Sequence, residues 1–217
     1  MKKVGIVLCL VLFVASGYVG FLRYKQYKFI EFIRSNVRNS TLRLANTARY
    51  EISYGAKITF KELFEKIESD IVEIDKRVLE VQTVSALRNK DITGPVLEYL
   101  EYSQELFRSL LAKNRKQLAL KIAYEGFEKA ADNMKSAGRY SIVYAVKASD
   151  QATKDLEKAV KEADEAKADV VDSTDKLKGA RVKVAAILPD EDIIDPIIID
   201  AILRNNKQKP EDTGGNK

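Results

Sequence analysis

The sequence predicts an all-α protein: one N-terminal transmembrane helix, an antiparallel bundle of about four long helices with coiled-coil-like packing, and a short C-terminal helix. Three observations carry this. The 217 residues hold only 10 Gly and 4 Pro, while 46% are hydrophobic and 32% charged, a mixture rich in helix formers. Apolar residues recur three and four apart over long stretches. No Asn-Gly or Asp-Gly hairpin turn and no sustained alternation marks a strand.

The first element is Val4–Leu22, 19 residues without a charge. As a helix it would be about 28 Å long, close to the hydrocarbon thickness of a bilayer. Val14-Ala15-Ser16-Gly17 has the small residues of a signal-peptidase site, so residues 1–17 have two possible fates, cleavage or retention. Retention is the expectation, because the run is longer than a signal h-region of roughly 7–15 residues. It is also followed by an aromatic and basic collar, Arg23, Tyr24, Lys25, Tyr27 and Lys28, typical of a membrane–water interface. Ser16 and Gly20 form a small-xxx-small pair, a candidate contact for dimerising membrane helices. Residues 1–22 are thus expected to be an anchor.

The body follows over residues 23–188. Helix one places Tyr27, Ile30, Ile33, Val37, Thr41, Leu44, Ala48 and Ile52 on one face, and Gly55 is expected to end it. Helix two opens with Thr59-Phe60-Lys61-Glu62, a capping box. Its Phe60, Phe64, Ile67, Ile71, Ile74, Val78 and Val81 make a heptad seam. A loop over residues 88–95 is expected next, with Pro95 in the first turn of helix three. That helix carries Val96, Leu100, Phe107, Leu110, Leu111, Leu118 and Ile122, and should stop at Gly138 with Lys135 favourably near its negative end. Residues 112–117, AKNRKQ, interrupt the pattern and read as a turn or a polar stretch of helix, and Gly126 as a candidate kink.

Helix four, about 139–188, keeps three/four spacing from Ile142 through Ala145, Ser149, Ala152, Leu156, Ala159, Ala163, Ala166, Val170 and Ser173 to Leu177, Ala180, Val184 and Ile187. Small residues dominate its middle. They permit close approach but bury little area each, so the segment needs a partner surface. Residues 189–205 are expected to hold the short Ile-rich helix, starting at Asp195-Pro196, and 206–217 read as a disordered tail. Ile197, Ile198, Ile199, Ile202 and Leu203 crowd this helix and form a candidate docking segment.

Chemistry is mostly excluded. With no His, no Trp and one Cys, Cys9, the chain has no Cys/His zinc site, no His-based triad and no internal disulfide. No dinucleotide, P-loop, zincin or EF-hand motif occurs. Asp190, Glu191, Asp192 and Asp195 are the right ligand type for a hard cation but match no loop spacing. No catalytic, cofactor or metal residue is therefore expected, and the chain reads as a non-enzyme. Tyr99, Tyr102, Tyr140 and Tyr144 are expected to pack between helices, a ligand slot being the functional alternative.

Residues 1–58 carry a net charge of +8 and the remainder −3. The basic character thus sits beside the apolar run, pointing to lipid head groups as partners and not to nucleic acid. The positive-inside comparison sets Lys2 and Lys3 against Arg23, Lys25, Lys28 and Arg34 and is nearly balanced. The Met-Lys-Lys opening looks like a bacterial export signal, which places the body on the extracytoplasmic, periplasmic side of an inner or plasma membrane. The main functional expectation is a membrane-anchored structural protein that holds a bundle at the membrane and binds another protein or a second copy. One alternative is an extracytoplasmic sensor or ligand-binding module. In architecture alone the plan resembles the four-helix sensor domains of bacterial membrane receptors. The other is a secreted helical protein after cleavage.

Overall fold

A computed structural model describes residues 2–53, 58–85 and 90–188, with side chains from Ala15 onward and without those of residues 51–53. Every described regular element is a helix, and the four pack as a bundle: α1 (Lys2–Ser53), α2 (Phe60–Ser85), α3 (Lys90–Ser136) and α4 (Ile142–Ala185). The expected Gly55 stop and the Ile-rich C-terminal helix, with the disordered tail after it, lie outside the described residues.

The local sequence explains where the helices start and stop. At the head of α2, the Thr59 hydroxyl accepts the Glu62 backbone N–H at 3.3 Å, and the Glu62 carboxylate accepts the Thr59 N–H at 2.8 Å. This is the reciprocal capping box read from the sequence. Helix α3 begins at Lys90, not at Pro95. A proline at this position lacks only the bond to the Asp91 carbonyl, near the helix start, while Thr93, Val96, Tyr99 and Leu100 beside it are buried. Burial of that first face outweighs the loop chemistry of the sequence. The stretch 112–117 is uninterrupted helix, with Lys113 and Asn114 both buried and the Asn114 amide donating to the Leu110 carbonyl at 2.8 Å. Helix α3 also runs through Gly126 to Ser136, and the turn 137–141 returns the chain into α4.

Neighbouring helices alternate in direction. Asp75 of α2 faces Gln104 and Arg108 of α3, and Glu68 faces Arg115. Glu98, Glu105 and Glu162 pair with Lys183, Lys176 and Lys116 across α3 and α4 at 2.6, 2.7 and 2.7 Å. Such exposed pairs stabilise by less than about 1 kcal/mol each, but together they are satisfied in only one antiparallel register.

The core lies between Phe29 and Ala48 of α1, Leu63 and Val81 of α2, Val96 and Leu110 of α3, and Val170 and Val184 of α4, with Leu188 just past the end of that helix. Its largest fully enclosed side chains include Tyr99 and Phe107. Outside this zone the molecule extends at both ends. At one end α1 continues from Phe29 back toward its N-terminus with exposed side chains. At the other, past the Arg115–Glu68 pair, α3 and α4 form a two-helix arm over residues 116–162. Within the described arm only Ala130 is buried. The α4 seam remains on one face throughout. It is half-buried at Ala145, Ser149, Ala152, Leu156 and Ala159, buried from Ala163 to Val184, where α2 and α1 supply further cover for the core, and half-buried again at Ile187.

Candidate functional site

Three surfaces are candidates. The first is the exposed base of α1. Arg23, Tyr24, Lys25, Tyr27 and Lys28 are all solvent-exposed on this helix, with Tyr18, Val19, Phe21 and Leu22 just before them. Lys25 places its ammonium 4.4 Å from the centre of the Phe21 ring, and Lys28 pairs with Glu31 at 3.2 Å. That hydrogen bond to Glu31 raises the Lys28 pKa above its ordinary value. Ser16 and Gly20 are exposed, and nothing in the described chain lies within 4 Å of a side chain built at Gly20. The span expected over Val4–Leu22 is not supported, because no helix among the described residues is long and apolar enough to cross a membrane. The side chains of Val4–Val14 lie outside the described set, and the described remainder of the run is short before Arg23 introduces charge.

The second surface is the groove between α3 and α4 along the arm, with a volume of about 810 Å³ and open to solvent. Ala119, Ala123, Gly126, Ala148, Ala152 and Ala159 form its floor, and Glu162 and Lys158 sit at its core-proximal end. The groove exists because small residues leave space where larger ones would have filled the seam. At its edge the Lys116 ammonium hydrogen-bonds Glu162 and holds that carboxyl below the usual range.

The third surface is the tip of the arm. Tyr140 is 99% exposed and Tyr144 77%, and Ile142, Val143, Val146 and Met134 are exposed with them. This corrects the expectation that Tyr140 and Tyr144 pack inside the bundle. They lie in and just after the turn, past the reach of α1 and α2, so no third helix among the described residues covers them. Tyr99 and Tyr102 behave as expected. Tyr99 is fully buried with its hydroxyl 2.9 Å from that of Thr41, and Tyr102 is half-buried against the core.

One polar cluster escaped the sequence reading. Asp70 is completely buried on α2, on the face where the seam passes from Ile67 to Ile74. Its carboxylate accepts from Arg43 at 2.8 Å, from the Thr47 hydroxyl at 2.8 Å and from Lys66. The buried stripe runs Leu63, Ile67, Asp70, Ile74, Val78 and Val81, so Ile71, expected on the seam, is only half-buried. A signal was present: Leu63 shares the heptad frame of Ile67 and Ile74, and that frame lands on Asp70. The cluster joins α1 to α2 and has the geometry of a structural ion pair.

Among the described residues no group of three or more His, Cys, Asp or Glu side chains is placed to hold a metal ion. Asp190, Glu191, Asp192 and Asp195, and the candidate docking residues Ile197, Ile198, Ile199, Ile202 and Leu203, lie outside the described residues. Comparison with protein-family models, with curated proteins and with solved structures finds no match for this chain.

Proposed function

We propose that this chain is a helical spacer whose α1 base sits at a lipid bilayer and whose body holds the α3–α4 hairpin away from it for a partner. The observation that carries the reading is the continuity of α1. One helix of 52 residues includes both the apolar run of the sequence and the core face from Phe29 to Ala48. Between the two lies a collar of aromatic and basic residues that are exposed among the described residues. A helix that carries an interfacial collar on one part and a bundle core on the next is suited to transmit position rigidly from a membrane to a domain. The intended localisation is therefore an inner or plasma membrane with the body outside the cytoplasm, and the role is structural and not catalytic.

The open groove favours a second reading, a ligand-binding module. Small-molecule sites bury about 70–90% of their ligand, whereas this groove is open along its length and floored by alanine, so the spacer reading is preferred.

Alkaline carbonate extraction of membranes, followed by intact-mass measurement of the full-length chain, tests the proposal. The expected result is a carbonate-resistant chain that retains residues 1–17. A carbonate-soluble chain, or a mature N-terminus at Gly17 or Tyr18, overturns it and favours a secreted helical protein.

A further inference from the structure

We propose that the α3–α4 tip is a second lipid-contacting element, which inserts its exposed aromatic and aliphatic side chains into the interface of an anionic bilayer. Tyr140, Val143 and Tyr144 project at the end of the arm with Ile142, Val146 and Met134 behind them. Residues 133–149 contain Lys135, Arg139 and Lys147 and no Asp or Glu, with Asp132 and Asp150 just outside; Lys135 pairs with Asp132 at 3.1 Å, so Arg139 and Lys147 carry the positive rim. Arg139 in the turn and Lys147 on α4 flank the apolar cluster, and the positive end of the α4 dipole opens at the same place. Tyrosines with aliphatic neighbours and a cationic rim match the layered chemistry of a bilayer surface, apolar below and anionic at the head groups.

The geometry also argues against a protein as the occupant. The end of a two-helix arm is roughly 20 Å across and presents far less than the ~800 Å² per partner of a stable protein interface. A bilayer needs no shape-matched surface, only insertion depth and charge.

Position gives the consequence. The Thr41–Tyr99 contact sets α1 and α3 level with each other. From there Leu22 lies about 28 Å toward the base, and Ser136 about 56 Å toward the tip, at the helical rise. With the base at one bilayer, a reading taken over from the preceding section, the tip meets a second surface about 85 Å away, and the molecule bridges the two.

The absence of Trp provides the test. Two full-length variants, Tyr24→Trp and Tyr144→Trp, carry a single indole reporter at the base and at the tip. Each is mixed with vesicles of phosphatidylcholine alone or with added phosphatidylserine, and emission and quenching by brominated lipid are recorded. The expected result is a blue shift and quenching at 144 that require phosphatidylserine. Adding Arg139→Gln and Lys147→Gln should weaken the 144 response about twenty-five-fold, since each cation near an anionic surface contributes about fivefold. Circular dichroism checks that helicity is unchanged. A response at 144 without one at 24 upholds the tip and overturns the anchored base. A response at 24 alone overturns the tip and leaves the base. No response at either position overturns both. A shift at 144 that is equal on neutral vesicles, or that follows protein concentration without lipid, also overturns the proposal, the last in favour of a second copy.

Discussion

Arg43 reaches from α1 to the buried carboxylate of Asp70 on α2 at 2.8 Å, and the buried Thr47 hydroxyl donates to the same carboxylate from α1 at 2.8 Å. Asp70 is wholly inaccessible, whereas Arg43 retains 31% side-chain exposure. The two partners are therefore unequal. Loss of the carboxylate lets the cations turn to water, but loss of Arg43 strands part of a buried charge. Arg43→Met is expected to destabilise the body by about 2–3 kcal/mol, less than a complete orphaning because Thr47 and Lys66 still bind Asp70. Urea unfolding of Arg43→Met, Asp70→Leu and the double variant measures it. The double variant should lose less than the sum of the singles, and additive losses would show that the pair is not coupled.

The frame of the α2 seam makes a second prediction. Ile74 is fully buried and Ile71 only half-buried. Ile74→Asp places an unpaired carboxylate in the core and is expected to destabilise by about 4 kcal/mol or more. Ile71→Asp can turn its carboxylate outward and should lose much less. Thermal melts by circular dichroism rank the two, and the reverse order would put the seam in the wrong frame.

Glu62 supplies a pH dependence. The Thr59 backbone N–H, and then the Thr59 hydroxyl, hydrogen-bond its carboxylate and hold it below its ordinary value of 4.5. The folded value is depressed, so the cap's contribution is complete above about 4.5 and is lost as pH falls through the lower folded value. The stability difference between the parent chain and Glu62→Gln should therefore shrink on acidification from neutral pH to below 4.5. Melts across that range read the difference, and one that grows in acid would contradict the cap.

The two halves of α4 are expected to differ in local stability. Residues 145–159 of the seam are half-buried in a two-helix arm, and Ala163 to Val184 are buried in the body. Amide exchange should be faster in the arm, with protection lower by on the order of tenfold or more. Uniform protection along α4 would mean that the arm is as cooperative as the core.

Gly126 lies within the arm section of α3, and no atom sits within 4 Å of a side chain built there. Gly126→Ala should stabilise the arm by about 0.5–1 kcal/mol through reduced backbone freedom in the unfolded state. Slower exchange of neighbouring arm amides, with the body unchanged, is the expected outcome. Faster exchange would reveal a close contact at that position.

The sequence by itself determined the class of fold, the number of described long helices, the start of α2 and the turn between α3 and α4. Those features depend on local chemistry: three/four apolar spacing, the Thr59–Glu62 box and the turn at Gly138 act within a few residues of each other. Tertiary structure decided what local chemistry cannot. Asp70 is polar in isolation and becomes core only because Arg43 and Thr47 arrive from a helix 23 or more residues away in sequence. Lys90–Gly94 looks like loop until Val96, Tyr99 and Leu100 are buried beside it. Tyr140 and Tyr144 have the composition of a core and lie at the tip because α1 and α2 end before reaching them. Burial depends on how far each neighbouring helix extends, a relation between distant segments that no single helical pattern contains.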